Sequence, residues 1–310
     1  MHTEEASFLD IENVVIYYYK WSPDNIDNAK GVVQISHGMA EISERYERLA
    51  KALTSEGYIV YCNDHRGHGK TAGILENVGY LRDEDGFLWL VKNMYELSQI
   101  IKNENCGLPL FLLGHSMGSF LSQRYIQLYG KEISAVILSG TNGKQGLVLD
   151  LGLSIAKLEI IKKGRKAKSD VLNNLSFGSY NKAFKPARTE FDWLSRDTKE
   201  VDKYIENEFC GGVFTAGFFY DFFIGLKEIE KNSNINDIPK NLPIYVFSGV
   251  KDPVGGVKGV MKLVKTYKNL GISDITYKFY ENGRHEMLNE INREEVTSDL
   301  IVWLNSKLNL

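Results

Sequence analysis

Short runs of apolar residues alternate with longer amphipathic stretches over the first half of the chain. Four runs rich in β-branched and aromatic residues predict buried strands: GVVQISHG, YIVYCNDH, PLFLLGHS and SAVILSGT. The stretch ASFLDIENVVIYYYKW, which precedes them, predicts a hairpin. Between the strands lie stretches such as FLWLVKNMYELSQIIKN, in which apolar residues recur at helical spacing. This alternation predicts an α/β fold, a mostly parallel sheet with helices on both faces.

The alternation stops near Thr141 and resumes only after residue 240. Residues 142–240 are rich in charged and aromatic side chains and predict helices but no strand. Strands resume at LPIYVFSG and DITYKFY, and a helix around EEVTSDLIVWLNSKL follows them. We therefore predict one α/β core, formed by residues 1–141 and 241–310, with a helical cap or lid inserted at 142–240. Two tandem domains would not explain the return of the strands.

Composition and charge narrow the class of protein. The 310 residues carry 37 Lys and Arg against 40 Asp and Glu, a net charge of −3, which gives no reason to expect nucleic acid as a partner. The basic run at 162–168 predicts a solvated helix end, with transient contact with a membrane surface as the alternative. No apolar run reaches the about 18 residues of a membrane span, and the acidic N-terminus lacks the features of a secretory signal. Three cysteines fit reduced thiols, so we expect a cytoplasmic protein.

The stretch FLLGHSMGSF places Ser116 between two glycines at the predicted junction of a strand and a helix. In this G-x-S-x-G arrangement, Gly114 and Gly118 allow the strand and the helix to pack closely, and the turn lifts the serine hydroxyl out of the sheet. A glycine–serine turn without chemistry is the alternative. A serine nucleophile needs an imidazole to accept its proton and a carboxylate to orient that imidazole, so the interpretation depends on finding those partners.

The partners should follow later strands, because the loops at the carboxyl ends of parallel strands form the site. Six histidines are present, and His285 alone lies after a late strand. Asp252 follows the strand IYVFSG, so the chain order is serine, acid, histidine, as in α/β-hydrolases. We therefore predict Ser116 as the nucleophile, His285 as the general base and Asp252 as the acid that orients the base.

The same loops supply the donors that acyl transfer needs for its oxyanion. We expect the backbone N–H of Met117, directly after the serine, and that of Met39, in the loop after the first parallel strand. Asp64, His65 and His68 have no companion cluster of ligands, so a metal site is not expected and this loop should pack beneath the site. No cofactor is expected.

Several motifs are similar to those of the monoacylglycerol lipase and lysophospholipase group of α/β-hydrolases, also called the serine aminopeptidase S33 type. They are, in order, HGMAE, DHRGHGKT, GHSMG, SGVKDPVGG and GRHEMLNE, and the segment FDWLSRDTKEVDKYIENEFCGGVFTAGFF resembles a bacterial lysophospholipase-like cap. The resemblance covers nearly the whole chain from about Gly31. It implies an α/β-hydrolase fold with a lid and esterase activity on lipid monoesters, with Ser116, Asp252 and His285 matching the triad.

Two pairs of residues are candidates for substrate binding. The resemblance implies that Glu41 and Arg45 match a glutamate and an arginine that hold a glycerol head group, whereas a further histidine of the animal-type enzymes is Leu288 here. Glycerol recognition is therefore open, and an i,i+4 ion pair on a helix surface is the alternative for Glu41 and Arg45. Phe218 and Phe222 lie at helical spacing in the predicted cap. They would form either a wall for the acyl chain or part of the packed core of the cap.

The triad predicts a serine hydrolase that acts through an acyl-enzyme intermediate. The resemblance implies a carboxylester hydrolase of EC 3.1.1 that cleaves a monoacylglycerol, a lysophospholipid or a similar monoacyl lipid. A hydrolase of small esters, thioesters or peptides on the same triad is an alternative. A non-catalytic binding protein on a hydrolase scaffold is another; loss of a triad residue would be its expected mark, and none is missing. We expect small-molecule or lipid esters, and no nucleic acid, as partners.

Overall fold

The structure, a computed structural model, describes residues 1–308. In this range eight strands form one sheet, accompanied by eleven α-helices. The strands are β1 (His2–Leu9), β2 (Val15–Ser22), β3 (Gly31–Ser36), β4 (Tyr58–Asn63), β5 (Leu110–His115), β6 (Ala135–Ser139), β7 (Ile244–Gly249) and β8 (Ile275–Tyr280). The helices are α1 (Glu47–Ser55), α2 (Gly69–Ala72), α3 (Gly86–Glu104), α4 (Met117–Tyr129), α5 (Leu147–Lys163), α6 (Asp170–Phe177), α7 (Thr198–Glu206), α8 (Ala216–Ile229), α9 (Asn232–Asn236), α10 (Gly256–Asn269) and α11 (Arg293–Asn305).

The sheet has the order β1-β2-β4-β3-β5-β6-β7-β8. The predicted hairpin is confirmed, since β1 and β2 pair antiparallel, and β2 also runs antiparallel to β4. Every other neighbouring pair of strands is parallel. The predicted class, a mostly parallel α/β sheet, is confirmed.

The inner strands are buried along their whole length because helices cover both faces of the sheet. All residues of β3, β4, β5, β6 and β7 are buried, as expected for parallel strands between two layers of helices. The register pairs Ser36 with Gly114 and His115 with Ser139. The carboxyl ends of β3, β5 and β6 therefore meet at one edge, and the turns that follow these strands lie close together.

The segment between β6 and β7 carries α5 to α9, which we call the cap. Within the described residues it contains no strand, and its one ladder contact is a single bridge between Lys168 and Thr215. The cap rests on the core through α8, which packs against α3 and α4, while α5 packs against α8. The division of the chain at residues 141 and 240 stays a prediction.

The outer surface of the cap carries an apolar face beside the basic run. Six large apolar side chains of α5 and α6 are more than half exposed: Leu147, Val148, Leu151, Leu158, Ile161 and Leu175. The basic run begins in the last turn of α5, where Lys163 pairs with Glu159 at 2.9 Å, and continues to Arg165, which pairs with Asp221 at 2.7 Å. Among residues 1–308, no helix is long and apolar enough to cross a membrane.

Candidate active site

Ser116 lies in the turn between β5 and α4, at the corner that the glycine pattern predicts. Its backbone takes φ 51° and ψ −117°, a conformation that a residue with a side chain adopts only when its surroundings enforce it. A Cβ on Gly118 would overlap the Ser36 carbonyl, and one on Gly114 would overlap the Gly118 carbonyl. Both glycines are therefore required for β3, β5 and α4 to approach each other this closely.

His285 and Asp252 form a buried pair beside this turn. Asp252 follows β7 and His285 follows β8, and His285 Nδ1 lies 2.9 Å from Asp252 Oδ1. Asp252 also accepts hydrogen bonds from the Val254 N–H at 2.9 Å and from the Ser248 hydroxyl at 3.1 Å. The carboxylate is thus fixed from three sides, and it holds the imidazole in one orientation.

The second ring nitrogen of His285, Nε2, is buried and has no hydrogen-bond partner among residues 1–308. Burial by itself lowers the pKa of this imidazole, but the charge of Asp252 and the hydrogen bond to it outweigh burial. The pKa of His285 therefore lies above its ordinary value of 6.5. A neutral His285 has Nε2 available to accept a proton, and the nearby Asp252 stabilises the protonated form that results.

The predicted oxyanion donors lie in the turns that flank Ser116. Met117 is the first residue of α4, and Met39 lies in the turn after β3. Neither backbone N–H donates to another backbone or side-chain acceptor within residues 1–308. The turn after β3 approaches the serine closely, since a Cβ on Gly38 would lie 3.2 Å from Ser116 Cβ.

A cavity of about 350 Å³ opens above Ser116, and we call it the catalytic cavity. Core residues form its floor, including Met39, Glu41, Ser116, His285 and Glu286. The cap forms its roof, with four aromatic side chains: Phe177, Phe191, Trp193 and Tyr204. The Trp193 ring packs on His285, with centroids 5.1 Å apart. The cap therefore completes the cavity rather than merely neighbouring it.

Sequence reasoning missed these four aromatic residues. They lie on α6, on the irregular segment between α6 and α7, and on α7, so no single helical period connects them. The signal that was available is the stretch FDWLS, which contains Phe191 and Trp193 and belongs to the segment with the family resemblance. The backbone anchors that stretch to the loop after β8, because the Leu194 carbonyl accepts a hydrogen bond from the Glu286 N–H at 2.8 Å.

Glu41, Arg45 and Glu286 form a buried ion network at the edge of the catalytic cavity. Arg45 donates to Glu41 at 2.7 Å and makes two hydrogen bonds to Glu286, at 2.8 and 2.7 Å. Glu41 also accepts a hydrogen bond from the Gly38 N–H. The expected i,i+4 ion pair between Glu41 and Arg45 is present, but its placement on a helix surface is wrong, because Glu41 is a buried loop residue and Arg45 belongs to the 3₁₀ turn Ser43–Tyr46. The network ties the turn after β3 to the loop after β8.

Arg45 and Glu286 each favour the charged form of the other. Burial alone would raise the pKa of Glu286, but the Arg45 guanidinium lowers it below its ordinary value. Burial likewise opposes the charge on Arg45, and the two carboxylates raise its pKa well above its ordinary value. Leu288 is buried and does not line the catalytic cavity. Its backbone carbonyl accepts a hydrogen bond from Arg48 at 2.8 Å.

Phe218 and Phe222 do not line the catalytic cavity, so the expectation of an acyl-chain wall at these positions is corrected. Phe218 is buried, with its ring 4.6 Å from that of Phe214, and Phe222 packs 5.9 Å from Phe87 and 6.0 Å from Phe120. Both belong to α8, whose apolar face is used in packing against α3 and α4. The side chains of these two residues are part of the apolar contact between the cap and the α/β core.

Three histidines pack beneath the turn after β3. His37 Nδ1 lies 2.7 Å from the Gly38 carbonyl, His37 Nε2 accepts from the His65 N–H at 3.0 Å, and His65 Nε2 lies 2.9 Å from Ser36 Oγ. Burial lowers the pKa of His37, of His65 and of the third histidine, His68, below the ordinary value. No three His, Cys, Asp or Glu side chains within residues 1–308 are arranged to hold a metal ion.

Comparisons with known proteins identify the family and the fold. The model of the family described as serine aminopeptidase, S33, matches residues 27–292. Monoacylglycerol lipase of Mycolicibacterium smegmatis is 31% identical over 307 residues, which cover 98% of this chain and 98% of that protein. Monoglyceride lipase of Homo sapiens is 28% identical over 287 residues, which cover 92% of this chain and 84% of that protein. A crystal structure of a highly thermostable carboxyl esterase from Bacillus coagulans, in complex with glycerol, has a TM-score of 0.91 at 27% identity and 99% coverage of each chain.

Proposed function

This chain belongs to the family described as serine aminopeptidase, S33, and on that premise we propose that it is a serine carboxylester hydrolase that cleaves monoacyl lipids. Its fold is that of an α/β-hydrolase, and it is a hydrolase of the carboxylic-ester class. One observation carries the proposal. Ser116 and His285 face the same aromatic-lined cavity, and Asp252 holds the imidazole of His285.

In the first half of the reaction, the Ser116 hydroxyl attacks the ester carbonyl while its proton passes to Nε2 of His285. The carbonyl oxygen becomes an oxyanion, which the N–H groups of Met39 and Met117 stabilise by hydrogen bonds. The C–O bond to the alcohol then breaks, and the alcohol oxygen takes the proton from His285. The acyl group is left as an ester on Ser116.

In the second half, a water molecule repeats the sequence. His285 accepts a proton from the water, whose oxygen attacks the acyl-enzyme carbonyl, and the same two amides receive the oxyanion. Collapse of this intermediate breaks the bond to Ser116 Oγ, which recovers its proton from His285. The products are a fatty acid and free enzyme, and in both halves Asp252 stabilises the imidazolium that forms on His285.

The roof of the catalytic cavity supports an acyl chain as the apolar part of the substrate. Phe177 and Phe191 are both partly buried side chains that line the cavity from the cap. A cavity of about 350 Å³ lies at the lower end of the roughly 300–1,000 Å³ range of small-molecule pockets. Each methylene that such a wall removes from water contributes about 0.8 kcal/mol, so added acyl carbons favour binding until the cavity is full.

The charges around the catalytic cavity support a head group without negative charge. Three carboxylates line it, Glu41, Glu190 and Glu286, and no lysine or arginine among residues 1–308 does. Arg45 lies behind two of these carboxylates and is neutralised by them. A phosphate would therefore meet carboxylates without a cation to pair with, whereas the hydroxyls of glycerol would meet acceptors. Of the two lipid classes considered, monoacylglycerol is favoured over an anionic lysophospholipid.

The same carboxylates are the observation that favours a second candidate, an aminopeptidase. A peptide N-terminus carries a positive charge, and Glu41, Glu190 and Glu286 present negative charge near Ser116. The aromatic roof would then take the first side chain of the peptide. This candidate shares the triad with the first one and differs only in the bond that is cleaved.

The apolar face of α5 and α6 supports a transient contact with a lipid surface. Its exposed leucine and isoleucine side chains lie beside the basic run at 162–168, a combination that is typical of segments that lie on anionic membranes. The face belongs to the same cap whose inner side roofs the catalytic cavity. A substrate extracted from a membrane would therefore enter the catalytic cavity close to the membrane surface that the cap contacts.

One substrate panel tests the proposal. Initial rates are compared for p-nitrophenyl esters of two to sixteen carbons, for 1-lauroylglycerol and 1-lauroyl-lysophosphatidylglycerol, and for leucine p-nitroanilide. We expect kcat/KM to rise from acetate to medium-length chains and to be at least tenfold higher for the neutral lauroyl lipid than for the anionic one. A preference for acetate over every longer ester would contradict the lipid assignment. Faster cleavage of the anilide would favour the aminopeptidase, and no turnover of any substrate would favour a binding protein.

A further inference from the structure

The turn after β3 presents the Met39 N–H, and its backbone is strained. Ala40, directly after Met39, takes φ 57°, in the left-handed region that residues with a side chain avoid. Gly38, directly before Met39, is packed so closely that an added Cβ would lie 3.2 Å from Ser116 Cβ. A strained backbone keeps its conformation only when its surroundings enforce it. Groups outside the turn must therefore fix the residues on either side of Met39.

The carboxylate of Glu41 fixes the turn on the Gly38 side. Its Oε1 atom accepts hydrogen bonds from the Gly38 N–H and, at 2.9 Å, from the Tyr46 hydroxyl, and its Oε2 atom accepts from Arg45 at 2.7 Å. A carboxylate offers about four lone-pair sites, so protein donors occupy most of those on Glu41. Both Glu41 and Gly38 are buried, and loss of this carboxylate would leave the Gly38 N–H without its acceptor.

Glu41 is held in its turn by Arg45 and Glu286. The Arg45 guanidinium bridges the two carboxylates, with one hydrogen bond to Glu41 and two to Glu286. The Asn289 side chain donates to Glu286 at 3.0 Å and fixes it from the other side. Glu286 directly follows His285 in the chain. The carboxylate that holds the turn after β3 is thus anchored to the loop that carries the general base.

Backbone hydrogen bonds hold the rest of the turn. The Ala40 carbonyl accepts from the Gly211 N–H of the cap at 2.9 Å, and the Gly38 carbonyl lies 2.7 Å from His37 Nδ1. Gly38 and Ala40 are therefore both fixed by groups outside the turn. The Met39 N–H between them has no acceptor among residues 1–308, so it stays available for an oxyanion.

We propose that Glu41 is a positioning residue for the oxyanion hole: its carboxylate fixes the Gly38 peptide and thereby directs the Met39 N–H toward the oxyanion that forms at Ser116. This role rests on the proposed hydrolysis at Ser116 and concerns the chemical step rather than the head group. An oxyanion donor acts mainly in the transition state, so loss of Glu41 should lower kcat and leave KM nearly unchanged. A residue that only holds glycerol would instead affect KM for glyceryl esters and spare other esters.

Hydrolysis of p-nitrophenyl acetate, an ester without glycerol, separates these two roles. In Glu41→Ala we expect kcat to fall at least tenfold, with KM within about twofold of its original value; loss of an oxyanion donor outright costs about 10²–10³-fold in kcat. Glu41→Gln keeps an oxygen that can accept from the Gly38 N–H but must turn its NH₂ group toward Arg45. Its kcat should therefore show an intermediate loss of at least threefold.

Asp221→Ala is the matched control. Asp221 is also a buried carboxylate, and it accepts hydrogen bonds from the Gly86 N–H at 3.0 Å and from Arg165 at 2.7 Å, outside the catalytic cavity. Its removal takes away the same kinds of bond, one to a glycine N–H and one to an arginine. We expect a lower melting temperature in Asp221→Ala and a kcat within about twofold of the unaltered protein.

Inhibition by 1,1,1-trifluorooctan-2-one measures oxyanion stabilisation without turnover. Ser116 Oγ adds to the ketone carbon, the serine proton passes to His285 Nε2, and the electron pair of the C=O π bond becomes the oxyanion that the Met39 N–H stabilises. In Glu41→Ala the dissociation constant of this fluoroketone, measured by titration calorimetry, should rise at least tenfold, in parallel with the fall in kcat. The affinity of octan-2-one, which lacks the activating fluorines, should stay unchanged.

The outcomes separate this role of Glu41 from the proposed function. An unchanged kcat for the acetate ester in Glu41→Ala, with a raised KM for 1-lauroylglycerol, would make Glu41 a head-group ligand only. Equal weakening of both ketones, or equal loss of kcat in Asp221→Ala, would make its role purely structural. If Glu41→Ala does not fold, a loss of less than threefold in Glu41→Gln overturns the proposal. A fluoroketone that binds the unaltered protein no more tightly than octan-2-one would contradict attack by Ser116, and with it the proposed function as well.

Discussion

The pairing of His285 with Asp252 determines how activity should depend on pH. The base must be neutral to accept the serine proton, so kcat/KM should rise with pH through the pKa of His285. Because Asp252 raises that pKa, the midpoint should lie above 6.5. In Asp252→Asn, kcat should fall by about 10⁴-fold, and the midpoint of the residual activity should move to lower pH.

The pH dependence of kcat/KM on a p-nitrophenyl ester, corrected for ionisation of the product, measures both effects. Ser248→Ala is the matched control, because it removes one hydrogen bond to Asp252 and keeps the charge. It should cost far less activity than Asp252→Asn. An unchanged midpoint in Asp252→Asn, or an activity loss there no greater than in Ser248→Ala, would mean that Asp252 does not orient the base.

Chain order and strand position suffice to select the three triad candidates from the sequence. Parallel strands deliver their carboxyl ends to one edge, so Ser116, Asp252 and His285 could be selected without any side-chain contact. The role of Glu286 could not be predicted in this way. Its partner Arg45 lies far away in the chain, and only the folded turn after β3 brings the two together.

At the level of elements, the roof of the catalytic cavity should govern the choice of acyl chain. Phe177→Ala and Phe191→Ala remove apolar wall from the cavity and should lower kcat/KM for the dodecanoate ester at least tenfold more than for the acetate ester. Phe222→Ala is the control, because this half-buried ring packs between α8 and the core, outside the cavity.

The expected result for Phe222→Ala is lower thermal stability with equal losses for both esters. Losses that are equal for both esters in Phe177→Ala and Phe191→Ala would show that the roof does not hold the acyl chain. The sequence pattern selected the wrong aromatic residues because helical periodicity finds faces that pack against other elements. The cavity is lined by irregular segments and by residues from several helices, so its lining residues do not recur at a regular spacing in the sequence.

The exposed face of α5 and α6 should control contact with lipid. Leu158→Ser and Ile161→Ser together reduce the apolar area beside the basic run and should weaken sedimentation with vesicles of phosphatidylglycerol at least fivefold. Val302→Ser, on α11, changes a side chain of similar exposure outside the cap and should have no effect. Equal vesicle binding by the cap variant and the unaltered protein would place the lipid contact elsewhere or exclude it.

For the molecule as a whole, buried histidines should make stability fall in acid. Burial lowers the pKa of His37, His65, His68 and His115, the last to about 4. Below pH 6.5 the unfolded chain binds protons at these positions and the folded protein does not, so the free energy of unfolding falls as the pH drops. His115 alone contributes a loss of about 3 kcal/mol by pH 4. His285 has the opposite effect, because its raised pKa means that this one imidazole binds a proton more tightly in the folded protein than in the unfolded chain.

Urea unfolding between pH 8 and pH 5 measures this dependence. In His68→Asn the slope of unfolding free energy against pH should be smaller by close to one proton near pH 5 and unchanged near pH 8, whatever the change in stability itself. His2→Asn, at an exposed position near the N-terminus, should leave the slope unchanged. A free energy of unfolding that is the same at pH 5 and pH 8 would contradict the account of the buried imidazoles.

The sequence predicted the overall architecture well because it depends on local patterns. The apolar runs of β3 to β7 are buried on both faces, and their alternation with helices leaves few arrangements other than a mostly parallel sheet. The roof of the catalytic cavity could not be predicted in this way. It is formed by segments distant in sequence from Ser116, at 173–194 and 204–213, and no local pattern records their distance in space from the serine.

Covalent labelling by a fluorophosphonate tests most directly the central claim that Ser116 is the nucleophile. After brief exposure, peptide mass spectrometry should find one adduct, on the peptide that contains Ser116, and ester hydrolysis should be lost in step with labelling. Ser116→Ala should neither react nor hydrolyse esters while keeping its circular dichroism spectrum and melting temperature, and Ser119→Ala, three residues further on in α4, should still label. An adduct on any other residue, or full activity in Ser116→Ala, would contradict the claim.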